Sequence, residues 1–185
     1  MSGAAKECGD CSLCCKTFEI PELNKPKDAW CQHYQRGTGC TIYDHRPRPC
    51  RTFSCHWLLD PRWGPEWKPN KAKFVLYAEN SLTLSIHPDP STAEPWRREP
   101  YYSALRAQAA NALQRGAMVL IAERGHTKIF LPDGVMDLGV VTPDQRIVVE
   151  QRHEGGRVVY VPRVTSAEEA KALGDVTAEW KDKPR

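Results

Sequence analysis

CGDCSLCC, residues 8–15, sets Cys8, Cys11, Cys14 and Cys15 within one short run, and it decides how the first third of the chain must fold. Two residues between successive cysteines let neighbouring thiolates turn toward one ion, which is why C-x-x-C recurs in zinc and iron–sulfur sites. Cys14 and Cys15 are adjacent, so their side chains start in different directions. One of the two is therefore available to a second metal or a bridge. Outward from this run the other cysteines are Cys31, Cys40, Cys50 and Cys55, and residues 56–185 contain none. A disulfide framework is usually spread through the part it staples. Eight cysteines gathered between Cys8 and Cys55 describe a local centre instead.

The rest of the sequence bears on the state of those thiols. The opening MSGAAKECGD lacks the apolar run of a secretory signal. No apolar stretch of about 18 residues occurs, so no membrane span is expected. The expected location is cytoplasmic, where thiols stay reduced and open to metal as thiolates. The formal charge of +3 is too small to indicate nucleic acid. Apolar residues at 41% allow a modest core, and 185 residues suit one domain or one domain with a small module.

Around the later cysteines runs GCTIYDHRPRPCRTFSC, residues 39–55. Pro47 and Pro49 stiffen the chain. Arg46 and Arg51 bring positive charge to a centre of thiolates. Tyr43 and Phe53 are the candidate apolar wall that shields it. Arg48 reads as solvated. In this order the two elements resemble the YkgJ-like cysteine-cluster family, described as zinc- or iron-chelating. Its pattern is C-x-x-C-x-x-C-C, a downstream cysteine, then C-x-I-Y-x-x-R-P-x-x-C-R-x-F. Here those positions are Cys8, Cys11, Cys14 and Cys15, then Cys31, then Cys40, Ile42, Tyr43, Arg46, Pro47, Cys50, Arg51 and Phe53. Cys55 extends the pattern. The resemblance covers residues 8–57 and implies metal binding, with no activity attached.

The candidate ligands are thus Cys8, Cys11, Cys14, Cys15, Cys31, Cys40, Cys50 and Cys55. Eight thiolates suffice for two four-cysteine zinc sites. The spacing of Cys8, Cys11 and Cys14 also equals the three-cysteine spacing of a ferredoxin run, which keeps iron or an iron–sulfur cluster as the alternative. Cys15 then follows directly, where ferredoxins continue differently. Three roles are open: a structural or binding site, a redox protein or enzyme using the cluster, and metal storage or delivery. His33, His45 and His56 lie near cysteines and read as neighbours of the centre more readily than as ligands. His87, His126 and His153 read as ordinary exposed histidines. The chain has no phosphate-binding glycine loop, no G-x-S-x-G and no H-E-x-x-H.

The expected fold is α+β: a loop-rich N-terminal cysteine module packed on an antiparallel sheet, with one main helix and a C-terminal helix. Residues 1–7 read as a flexible tail, 8–57 as the metal module, 58–71 as a connection and 72–185 as the α+β part. Within the connection, Trp63 and Trp67 are expected to pack back onto the fold. KFVLYAE and LTLSIHP read as a hairpin. Residues 99–115 read as a helix stopped at Gly116. AMVLIAERG, TKIFLPDG and VMDLG read as strands. RIVVEQRHEGGRVVYVPRV reads as a hairpin with Gly155-Gly156 at its tip. Ser166 and Glu169 form a capping-box pattern for the last helix.

Overall fold

The structure, a computed structural model, describes residues 6–173 and the backbone of 177–178. Most of the expected tail, residues 1–5, lies outside the described residues. The fold is α+β with antiparallel strand pairing. It divides into two compact units. The first takes in the chain up to Tyr77 together with Ile86–Arg98, so the cysteine segment and the connection both belong to it. The second takes in Ala78–Ser85 and the chain from Glu99 onward.

Regular structure in the first unit comes in short pieces. The helices are α1 (Cys14–Thr17), α2 (Arg48–Thr52), α3 (His56–Leu59) and α4 (Pro69–Ala72). Proline stands in the first turn of α2 and of α4, where its missing N–H costs nothing. The strands β1 (Tyr34–Gln35) and β2 (Gly39–Cys40) pair Tyr34 with Cys40. Gly37 and Gly39 adopt φ of 83° and 92° there, a turn that side chains with a Cβ resist. Strands β3 (Phe74–Asn80) and β4 (Thr83–Pro88) form the expected hairpin, and the boundary between the units crosses it. At its start Phe74, Val75 and Leu76 are buried. Trp67 is buried too, with Trp63 edge-on at 4.1 Å and Phe74 at 5.9 Å, so the two tryptophans do pack back.

The second unit has longer elements: α5 (Tyr101–Leu113), β5 (Met118–Glu123), β6 (His126–Leu131), β7 (Gly134–Asp137), β8 (Gln145–Glu154), β9 (Arg157–Ser166), α6 (Ala167–Ala172) and β10 (Thr177–Ala178). Helix α5 buries Leu105, Ala109, Ala112 and Leu113, one stripe at helical spacing. Gly116 follows at φ 69° and lets the chain leave the helix. Every residue of β5, which pairs with β4 and β6, is buried, as a strand covered on both faces is. The apolar core holds Leu113, Met118, Leu120, Ile129, Ile147 and Val149. Each such side chain contributes about 1.5–3 kcal/mol by leaving water.

One expectation needs correction. In place of one sheet there are three, with strand orders β1-β2, β10-β8-β9 and β3-β4-β5-β6-β7. The β8–β9 hairpin runs ten pairs from Gln145↔Ser166 to Glu154↔Arg157 and carries its own sheet. The short segment Leu138–Asp144 separates it from β7.

Candidate metal centre

All eight cysteines lie in the first unit, and all are free thiols. The run 8–15 is built as a turn followed by one helical turn. Cys11 N–H donates to the Cys8 carbonyl at 2.8 Å, with Gly9 between them at φ 52°. Cys14 and Cys15 then open α1. Consecutive helical residues project about 100° apart, yet the two adjacent thiols still meet in a side-chain hydrogen bond. The later cysteines return to this run. Cys31 N–H donates to the Cys15 carbonyl at 3.0 Å. The strand pairing of β1 with β2 brings Cys40 back, and Tyr34 N–H donates to the Cys31 carbonyl at 2.9 Å. Cys50 lies on α2, and Cys55 stands at the N-cap of α3, buried against Leu13 and Val75.

The thiols feel one another. Cys14 donates a hydrogen bond to Cys15, which, with burial, holds the Cys14 proton far above its usual range. The same bond brings Cys15 down to about 7, with Lys25 and Arg46 adding positive charge. Burial, then the charges of Cys15, Cys31 and Cys40, push Cys50 up to about 11. Burial raises Cys8 and the charge of Cys15 adds to the rise, with Arg46 and Lys68 opposing. Burial also raises Cys11 and Cys55, and the charges of Cys8 and Cys11 add to the rise at Cys55. So many thiols in a partly dry space resist ionising together.

Among the described residues, no three His, Cys, Asp or Glu side chains converge as a group that could hold a metal ion. The fit therefore rests on the donor set: eight reduced thiols within range of each other's charge, whose ionisation a thiophilic cation would favour.

The residues expected around the thiols occupy different positions. Arg46 stacks on the Tyr43 ring at 3.6 Å, donates from Nε to the Tyr43 carbonyl at 2.8 Å, and acts on Cys8, Cys15 and Cys50. Tyr43 itself is 50% exposed. Phe53 meets Phe18 at 4.9 Å and packs on the Leu13–Cys55–Val75 cluster, so it walls one side. Arg51 is exposed on α2. His45 is exposed, His33 is half-buried, and the charges acting on His56 are Asp60 and Arg62.

Two cations near the thiols escape sequence reading. Lys25 is 3% exposed, and its Nζ donates to the carbonyls of Lys16, at 2.7 Å, and Phe18. Burial lowers its pKa, and the charges of Cys31 and Cys15 oppose that. Lys68, paired with Asp10 at 2.7 Å, acts on Cys8 and Cys11. Their only sequence signal is ordinary lysine in a loop. His87 also departs from expectation: it is 4% exposed, with Tyr77 Oη at 3.3 Å from Nε2 and Phe18 at 4.9 Å. Burial holds it neutral, down to about 3, because the end of β4 is covered on both faces. His126 and His153 are exposed as expected.

Compared with protein-family models, curated proteins and solved structures, the chain matches none. Among the described residues no helix is long and apolar enough to cross a membrane.

Proposed function

We propose that the first unit is a metal-binding cysteine module of YkgJ-like type, with zinc as its ion, working in the cytoplasm. One observation carries the reading: eight free thiols from five short elements and loops lie within range of each other's charge in one unit. Zinc held there by the cysteines would supply the positive charge that keeps them as thiolates. The chain's own residues then have definite tasks. The cysteines would release their protons and hold the ion. Lys25, Arg46 and Lys68 offset the surplus negative charge. Phe18 and Phe53 keep water from one side. The role this supports best is structural, since helices of four or five residues have little stability of their own.

The spacing of Cys8, Cys11 and Cys14 favours a second reading, an iron–sulfur cluster used in redox chemistry. Elemental analysis and an absorption spectrum of protein purified without oxygen separate the two. The zinc reading expects colourless protein with bound zinc. Brown protein that dithionite bleaches reversibly supports the iron–sulfur reading. Protein that holds neither metal, with all eight thiols open to alkylation, sinks both.

A further inference from the structure

We propose that the second unit binds a small amphipathic anion, one carboxylate on a short apolar body, in the cavity between the end of α5 and the β8–β9 hairpin. The proposal stands apart from the cysteines, none of which lies in that unit.

The cavity measures about 390 Å³, within the range of about 300–1,000 Å³ that small-molecule sites occupy. Its floor is apolar and already ordered. Leu113 at the end of α5, Met118 at the start of β5 and Val149 on β8 line it, and all three belong to the buried core. An apolar body laid there leaves water against a surface the fold has fixed beforehand. Leu173, just past α6, also lines the cavity and is 52% exposed, so a ligand would cover an apolar side chain still in contact with water. Four consecutive residues of β8, Val148–Gln151, line one wall. Side chains alternate between the faces of a strand, so such a run is met along the strand's edge rather than on one face. The site is therefore a groove beside the strand and not a patch on the sheet.

The rim decides the ligand class. Among the described residues that line the cavity, the charged ones are Glu150 and Arg163. Glu150 is shared: its carboxylate pairs with Arg152 at 2.8 Å and with Arg163 at 2.7 Å. Two guanidiniums on one carboxylate leave one positive charge over. Arg163 stands opposite Val148 in the hairpin, and its side chain is 46% exposed. A guanidinium has more donors than one carboxylate engages, so Arg163 has room for a second carboxylate while it keeps Glu150. The other end of the groove repels an anion, because the C-terminal end of α5 carries the negative end of the helix dipole. The ligand is thereby oriented, with its carboxylate at Arg163 and its apolar body on Leu113 and Met118. Gln114, Gln151 and Tyr160 add neutral hydrogen-bonding groups to the lining.

The test titrates the full chain, under reducing conditions, with octanoate and with octanamide, its neutral isostere, followed by ¹H–¹⁵N correlation NMR. Octanoate should saturate one site and shift the amides of residues 113–118 and 148–151. Octanamide should bind about tenfold more weakly, the difference between a charge-assisted and a neutral hydrogen bond. That comparison is made on the wild type, with no variant that has to fold. Arg163→Gln should erase the preference for octanoate. Arg152→Gln removes a cation that is not part of the lining and should leave the preference in place. Ala117→Phe, at a half-buried lining position, should weaken both ligands. No saturable binding of octanoate, equal affinity for the two ligands, a preference that survives Arg163→Gln, or shifts confined to residues outside the cavity overturns the proposal.

Discussion

Residues 8–55 and residues 101–149 differ in what holds them. In the first stretch the α-helices have four or five residues and the strands two, and the stretch carries all eight thiols, of which Cys31 and Cys55 are buried. In the second, a helix of 13 residues and strands of up to ten bury a continuous apolar set from Leu113 to Val149. The second can order itself by removing apolar surface from water. On the reading proposed above, the order of the first depends on what the thiols bind. On that reading the chain combines a self-sufficient unit with one conditional on an ion.

That contrast predicts effects of different kinds. The largest belongs to the apolar unit. Phe130 in β6 is fully buried, and Phe130→Ala should cost about 3–5 kcal/mol through lost burial and the cavity left behind. Urea unfolding should report the loss while metal content per chain stays at the wild-type value. Metal lost in parallel would mean the two regions do not depend on different forces.

Next comes the charge that balances the thiols. Lys25→Met keeps the stem and removes the buried ammonium. Zinc should then bind about 10- to 100-fold more weakly, the range for residues supporting a ligand shell. Competition with a chromophoric chelator measures it. Unchanged affinity would leave Lys25 only its two carbonyl bonds as a task.

The third effect is smaller and depends on pH. His87 is held neutral down to about 3 by burial, whereas an unfolded histidine titrates near about 6.5. Between those values the unfolded chain binds the extra proton, so stability falls as pH falls. The contribution is fully present above about 6.5 and shrinks by up to about 1.4 kcal/mol per pH unit below it. His87→Gln removes this slope. The stability difference between wild type and variant, followed from neutral to acidic pH, should therefore narrow. A constant difference would show that His87 takes up its proton in the folded state.

How much of this was legible in the sequence follows the same division. In the second unit, periodicity and turn residues placed the strands, α5 and the Ser166–Glu169 cap. The cap is present as a full capping box. Those signals are local, and a residue reads its own neighbours there. The cysteines too were legible as candidates, because spacing within CGDCSLCC is local. Their packing partners were not. Cys55 meets Leu13 and Val75 across long stretches of chain, and Lys68 meets Asp10 across 58 residues. Lys25 is buried, with its ammonium donating to the carbonyls of Lys16 and Phe18, contacts that residue type does not announce. His87 looked exposed because alternation along LTLSIHP gives no hint that Phe18 covers the far end. The separate β8–β9 sheet was missed for a related reason: a hairpin signal says which strands pair, and nothing about which sheet they join.

The central claim, that an ion orders the cysteine unit while apolar burial orders the other, meets its most direct test in hydrogen exchange. The full chain would be compared by mass spectrometry with its metal in place and after chelation under reducing conditions. Peptides covering residues 8–55 should lose their protection on chelation, while those covering 118–131 and 145–149 keep theirs. Equal protection of residues 8–55 before and after complete metal removal would contradict the account.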